Sequence, residues 1–375
     1  MNKSKINWSD GMLITKGHFD QLSDYIEYKD NLSHSFIYGR DHNYGLINID
    51  DDHPALELKL MNDEIALHRL NGLFKSGQLV RYDNSQYPVS YKLSELKPIN
   101  DFTDHDYVVS AVLNENDFIG YGEPNAQEFP PRLPYKNYSI KLSCIALEEY
   151  RPGNYLNNYL PIGIITQVKN VYTVSKKYIP PCITTDAFPL LFNKFQQYQE
   201  DLFTLYQNTL QCAQIARTSK KAGVINELAP SLQFIAERLT DFIADQLDWY
   251  QMNATSMRTW EWYLLFKRMA RNVSNSFTCL RNMEIQDVKN FINVQSGVRP
   301  IDLTNTVQAM IDDKYDQSFV QYNIQNMDNF ISTQIKIFNE LKRLNSFISR
   351  NDKPYESLVP EAVIEDKPKS KKPWD

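Results

Sequence analysis

All six histidines of the chain, His18, His34, His42, His53, His68 and His105, fall within its first 105 residues. Such clustering invites a metal centre, because neutral imidazole is the commonest metal ligand. The spacings argue against one. No two histidines share a helix face at ligand spacing, and none stands beside a cysteine; Cys144, Cys182, Cys212 and Cys279 are far apart and form no Cys-x-x-Cys. Asp50-Asp51-Asp52 and the group Asp101, Asp104, Asp106 are dense in carboxylates. A calcium loop also needs alternating oxygen ligands, a glycine at the sharp turn and a closing Glu, so both groups read as charged turns beside strands. Paired carboxylates for glycoside hydrolysis carry no information in a chain with 46 acids. There is no Gly-x-x-x-x-Gly-Lys-Ser/Thr phosphate cradle, no Gly-x-Ser-x-Gly elbow and no His-Glu-x-x-His. Gly120-Tyr121-Gly122 is followed by Glu-Pro instead of a third glycine opening a helix. No catalytic set, cofactor or metal is expected; a structural or binding subunit is.

The elements around these residues divide the chain. Its 375 residues exceed what one core usually organises, so more than one domain is expected. The net charge of −6 leaves no excess of Lys and Arg to neutralise phosphates, which speaks against a nucleic-acid scaffold. No stretch approaches the roughly 20 apolar residues of a membrane helix, and Met1–Asp10 shows no secretory leader. Four dispersed thiols fit a reducing compartment, and a cytoplasmic protein is expected. Before residue 185 short runs alternate with period two: Leu56–Met61, Tyr107–Leu113, Tyr138–Ala146, Leu160–Val168 and Val171–Val174. Turn formers separate them, and a helix bearing His18, Phe19, Leu22, Tyr25, Ile26 and Lys29 precedes them. This predicts an antiparallel β-sandwich over 1–184. After 185 the period is helical: Phe195, Tyr198, Leu202, Leu205, Thr209 and Ala213 keep three–four steps. Leu232, Ile235, Leu239, Phe242 and Leu247 form a second stripe, 260–270 is rich in aromatics, and a last helix is expected from Met327 to Ile348. A helical bundle over 185–350 follows, making the fold class α+β with two domains. Residues 351–375 are polar and predicted to be a disordered tail, despite Trp374.

Three motifs carry a resemblance. Ile6-Asn7-Trp8-Ser9-Asp10-Gly11-Met12-Leu13 with His18-Phe19-Asp20-Gln21 resembles the opening of the TssK family, baseplate subunits of type VI secretion systems; Lys16-Gly17 stands where that family has Pro-Gln. Leu160-Pro161-Ile162-Gly163 and Tyr178-Ile179-Pro180-Pro181-Cys182-Ile183 are similar to its Leu-Pro-Ile-Ala and Tyr-Ile-Pro-Pro-Cys-Leu. Gly72-Leu73-Phe74 with Gly77 is like its Gly-x-Phe-x-Asp-Gly turn. The motifs stand in family order over residues 6–183.

The resemblance implies a sandwich like the shoulder of phage receptor-binding proteins, a helical bundle and a homotrimer. It implies binding to the wedge proteins TssF and TssG, with Trp8, Gly11, Met12, Leu13, His18 and Phe19 as the partner-binding residues. The competing reading puts Trp8 and Phe19 in the domain's own core. Tyr178, Pro180 and Pro181 form an interdomain joint: two prolines remove two donors and fix two φ angles. Phe195, Tyr198, Leu202 and Leu205 are the expected trimer seam, though an intramolecular bundle has the same spacing. Family members link the wedge to the membrane-complex proteins TssL and TssM at the inner membrane through a small C-terminal domain. Here 300–350 read as more helix, so that domain is expected to be reduced or absent. Wedge binding is carried over directly, and the link from the wedge to the membrane complex, with TssL and TssM as its partners at the inner membrane, is expected through a different anchor. The alternative reading is a phage-tail-like receptor-binding or baseplate protein of another contractile injection system.

Overall fold

A computed structural model describes residues 4–39, 41–50, 52–61, 63–96, 105–124, 127, 129–151, 157–168, 171–219, 228–253 and 257–347. The expected tail, with Trp374, lies outside the described residues. By compactness the described residues form two units. The first draws on Met1–Asp201, Leu247–Arg268 and Ala309–Phe330, the second on Leu202–Gln246, Met269–Gln308 and Ile331–Asp375.

The chain opens with helix α1, Lys16–Tyr38. The His18 imidazole accepts the Thr15 N–H at 3.1 Å and so satisfies one donor of the helix start. Gly39 ends the helix at φ +72°, its N–H returning to the Ser35 carbonyl at 3.2 Å.

A first antiparallel sheet follows: β1 Gly45–Leu46, β2 Leu56–Met61, β3 Glu64–Leu73, β4 Leu79–Asp83 and β5 Val89–Lys92. Each stretch of β3 pairs on both edges, with β1 and β2 along one and β4 and β5 along the other. Ile65 and Leu67 point inward in strict alternation. Between the pairs Glu57–Arg69 and Leu58–Leu67 one residue, His68, is extra, and the buried phase resumes at Leu70.

The second sheet has the order β7-β6-β8-β9, from β6 His105–Tyr121, β7 Tyr135–Ala146, β8 Tyr159–Val168 and β9 Val171–Val174, all antiparallel. The proline of β8 is placed where its missing donor does little harm. Pro161 sits beside the register shift at Val109/Ser110. The sheets touch through glycines. A Cβ on Gly163 would lie 2.9 Å from Leu58 Cδ2, and one on Gly72 2.9 Å from Leu160 Cδ2. Tyr87 ties β7 as well, donating to the Tyr138 carbonyl at 3.0 Å and accepting the Ile140 N–H at 3.1 Å.

After β9 the chain becomes helical: α2 Pro189–Ser219, α3 Leu228–Met252, α4 Thr259–Thr278, α5 Asn282–Ser296, α6 Pro300–Asp312 and α7 Val320–Leu341. The stripe of α2 is buried from Leu191 through Phe195, Tyr198, Leu202, Leu205, Cys212 and Ala216. On α3, Leu232, Ile235 and Leu239 are buried as expected, but the seam continues through Ile243 and Tyr250 while Phe242 and Leu247 are half-buried. Gly297 at φ +69° ends α5 and donates to the Asn293 carbonyl at 2.9 Å. The last helix stops at Leu341, short of the expected Ile348, and Leu344 is half-buried beyond it. The fold is thus α+β, with antiparallel sheets before helices. No helix among the described residues is long and apolar enough to cross a membrane.

Candidate functional site

The N-terminal segment presents its large apolar side chains to solvent. Ser9-Asp10-Gly11 turns, with Gly11 at φ +76° and the Met12 N–H on the Ser9 carbonyl at 3.2 Å. Ile6 is buried and Met12 half-buried, whereas Trp8 is 44% exposed, Leu13 81% and Phe19 58%. Ile14, Ile26 and Phe36 extend this exposed apolar run along α1. His18 lies 6.0 Å from the Trp8 ring, so the capping residue also braces the indole. Other α1 residues meet the sheets: Glu27 bonds the Tyr138 hydroxyl, and a Cβ on Gly77 would lie 2.7 Å from the Asn31 side chain. Trp8 and Phe19 are thus exposed to solvent in the single chain. This surface offers hydrophobic and aromatic contact, worth about 1.5–3 kcal/mol for each large side chain fully buried.

The Tyr178–Ile183 segment is buried, and its backbone is stitched to β1. The Leu46 N–H donates to the Pro181 carbonyl at 2.7 Å and the Ile183 N–H to the Leu46 carbonyl at 2.9 Å. Pro180 and Pro181, having no N–H, leave no donors to satisfy there. The approach is so close that a Cβ on Gly45, at φ +134°, would stand 2.4 Å from Pro181 backbone atoms. Gln317 locks the segment, its amide donating to the Cys182 carbonyl at 2.8 Å and to the Tyr44 carbonyl at 2.9 Å. Thr259 adds a bond to the Cys182 carbonyl at 3.1 Å, and the Tyr178 hydroxyl donates to the Ser318 carbonyl at 3.3 Å. Burial lifts the Tyr44 hydroxyl to about 12 and pushes the Tyr178 hydroxyl and the Cys182 thiol well above their ordinary values. All three therefore stay protonated at neutral pH and act as hydrogen-bonding and packing groups. Gly45, Tyr44, Thr259 and Gln317 were missed by sequence reasoning. Their partners are distant in the chain, and no local pattern marks them.

The four expected seam residues are buried within the single chain. Phe195 stacks on Tyr250 with ring centroids 4.5 Å apart, and Tyr198 packs on Trp262 and Phe266 at 5.0 and 4.9 Å. Asp328 accepts both the Tyr198 hydroxyl at 2.5 Å and the Lys194 ammonium at 2.9 Å. Leu202 and Leu205 are buried too. The helical period fixes which face is apolar; here intrachain helices cover it.

His53, His68 and His42 have ordinary partners. His53 bonds the Asp52 carbonyl at 2.7 Å, His68 bonds Asn84 at 3.0 Å, and His42 meets the Tyr315 ring edge-on at 5.4 Å. Among the described residues no three His, Cys, Asp or Glu side chains converge as metal ligands. The Cys144 and Cys212 thiols are pushed up to about 12 by burial, which suits packing and not nucleophilic attack.

No known sequence family matches the chain, and no curated protein matches it by sequence. Its fold class, antiparallel sheets followed by long helices, does occur among solved structures. Within that class the chain is similar to the crystal structure of TssK, at 13% identity and TM-score 0.51, over 88% of this chain and 69% of that one. It is also similar to a chain of the type VI secretion system TssK–TssF–TssG baseplate subcomplex seen by cryo-electron microscopy, at 14% identity and TM-score 0.52, over 92% of this chain and 99% of that one. A chain of the baseplate complex from the type VI secretion system gives 15% identity and TM-score 0.52, over 90% and 100%. At these identities the likeness is one of fold.

Proposed function

We propose that this chain is a TssK-like structural subunit of a type VI secretion baseplate, acting as an adaptor that holds wedge proteins of the TssF and TssG kind. The observation that carries this reading is the coincidence of fold and motif. The chain shares its fold with TssK and baseplate-complex structures over most of its length, and it bears the three ordered motifs of residues 6–183. The two sheets touching at Gly72 and Gly163 support a shoulder-like sandwich, followed in the chain by the helices. Wedge binding is assigned to Trp8, Leu13 and Phe19 on the exposed face, with Gly11, Met12 and His18 shaping the turn that presents them. Tyr178, Pro180 and Pro181 act as the joint where sheet gives way to helix. The working form is a homotrimer on the cytoplasmic side of the inner membrane. The proposal does not extend to TssL and TssM.

Light scattering on the purified chain, alone and co-expressed with TssF- and TssG-like wedge proteins, tests this. A mass near three times 43.8 kDa and a stable complex with the wedge proteins are expected. A monomer that retains neither wedge protein overturns the proposal.

A further inference from the structure

The second unit contains a cleft of about 310 Å³ between α4, α5 and α6. Its lining is mixed: Phe277, Ile285, Leu303 and Val307 are apolar, and Asn282, Gln308 and two hydroxyl residues of α4 join Lys289 and Thr304 on the polar side. The Thr304 hydroxyl donates to the Pro300 carbonyl at 2.9 Å, which aims its lone pairs at the Lys289 ammonium 3.1 Å away. That bond uses one of the three ammonium donors. The Phe277 ring centroid is 5.9 Å from the same nitrogen. Glu284 on α5 and Asp302 on α6 are paired with Arg281 at 3.7 Å and Arg299 at 2.7 Å. Among the described residues Lys289 has no carboxylate partner. A cation beside apolar side chains, with donors left over, is complementary to an anion.

We propose that this cleft binds a carboxylate carried on a compact apolar group, with Lys289 as its ion-pair partner and the Phe277, Ile285, Leu303 and Val307 walls enclosing its body. A single lysine without an arginine fork matches a monoanion better than a phosphate dianion. The volume is at the small end of the roughly 300–1,000 Å³ range of ligand pockets, room for one ring or one side chain. Two sources share this chemistry: a free small acid, and an aromatic residue at the C-terminus of a partner chain. The inference is independent of the baseplate reading.

Calorimetric titration of the full chain tests it with 3-phenylpropanoate, its neutral counterpart 3-phenylpropan-1-ol, and the peptide Gly-Gly-Gly-Phe with free or amidated C-terminus. Saturable binding of the acid is expected, with the alcohol at least tenfold weaker. Lys289→Met keeps the apolar stem and removes the charge. It should weaken the acid at least tenfold and leave the alcohol unchanged, and the retained alcohol binding shows that the variant is folded. If the free peptide binds and the amidated one does not, a chain terminus is the source. If only 3-phenylpropanoate binds, it is a free acid. Equal affinity for acid and alcohol, full acid affinity in Lys289→Met, or no saturation at millimolar acid overturns the proposal. The acid–alcohol contrast in the unaltered protein decides the matter even if the variant fails to fold.

Discussion

Gly45 and Gly11 both hold positive φ, +134° and +76°, yet they stand in different surroundings. A side chain at Gly11 meets nothing within 4 Å, so Gly11→Ala pays only the backbone term, about 1–2 kcal/mol. At Gly45 the added Cβ lies 2.4 Å from the Pro181 backbone, which cannot rotate away as a side chain would. Overpacking adds a further ~1–3 kcal/mol, so Gly45→Ala should cost more than Gly11→Ala by that amount in urea denaturation. Equal costs would mean that the close contact with Pro181 does not exist in solution. The thiols give a second residue-scale expectation. Cys279 is exposed, whereas Cys182 and Cys212 are buried and Cys144 is half-buried. Burial sets the folded Cys212 thiol near 12 against 9.0. Above pH 9 the unfolded chain therefore sheds this proton first. The stability contributed is fully present below pH 9 and is lost as pH rises towards 12. Stability measured between pH 9 and 12 should fall less steeply in Cys212→Ala than in the unaltered protein. A chromogenic disulfide at pH 8 should modify Cys279 rapidly and the other three only on unfolding.

Helices α2 and α7 are clamped within the first unit by one carboxylate. Asp328 receives both the Tyr198 hydroxyl and the Lys194 ammonium, and the buried Tyr198 ring packs on Trp262. Tyr198→Phe keeps the ring and deletes a hydrogen bond to a charged group, a loss of about 1.5–3 kcal/mol in urea denaturation. A change under 0.5 kcal/mol would show that Lys194 alone satisfies Asp328. The stripe that contains Tyr198 was legible because three–four spacing marks an apolar helix face whatever covers it. What covers it was not legible, and so residues buried inside one chain read equally well as a seam between copies. Strands β2, β6, β7, β8 and β9 were legible for the same reason of period, whereas β1, β3, β4 and β5 were not singled out, and Pro180-Pro181 marked where the strands stop. The bulges were not: His68 is extra only relative to β2, and Pro161 is tolerated only because β6 shifts register beside it. The lock on the joint was hidden more deeply, since Gln317 lies 135 residues from Cys182 and sits in a short 3₁₀ turn without periodicity.

At the scale of the whole molecule, the exposed face of residues 8–19 separates a core role from a partner role. A core aromatic truncated to Ala costs about 3–5 kcal/mol of stability, whereas a substitution at an exposed position stays within about 0.5 kcal/mol. Phe19 is 58% exposed and Trp8 44%, so most of what each can gain by burial is still ungained in the isolated chain. Covering that remainder with a wedge protein would supply about 1–2 kcal/mol per side chain, a five- to thirtyfold change in affinity. Phe19→Ala should therefore shift the melting temperature by no more than about 2 °C and weaken capture of the wedge proteins at least fivefold. Trp8→Ala should lose a little more stability, because the indole also meets the His18 ring that caps α1. Both variants should keep the mass of the unaltered particle, because neither side chain belongs to the helical core. A collapse in melting temperature with wedge capture intact among the folded molecules would return both residues to the core and leave the proposed adaptor role without a binding face.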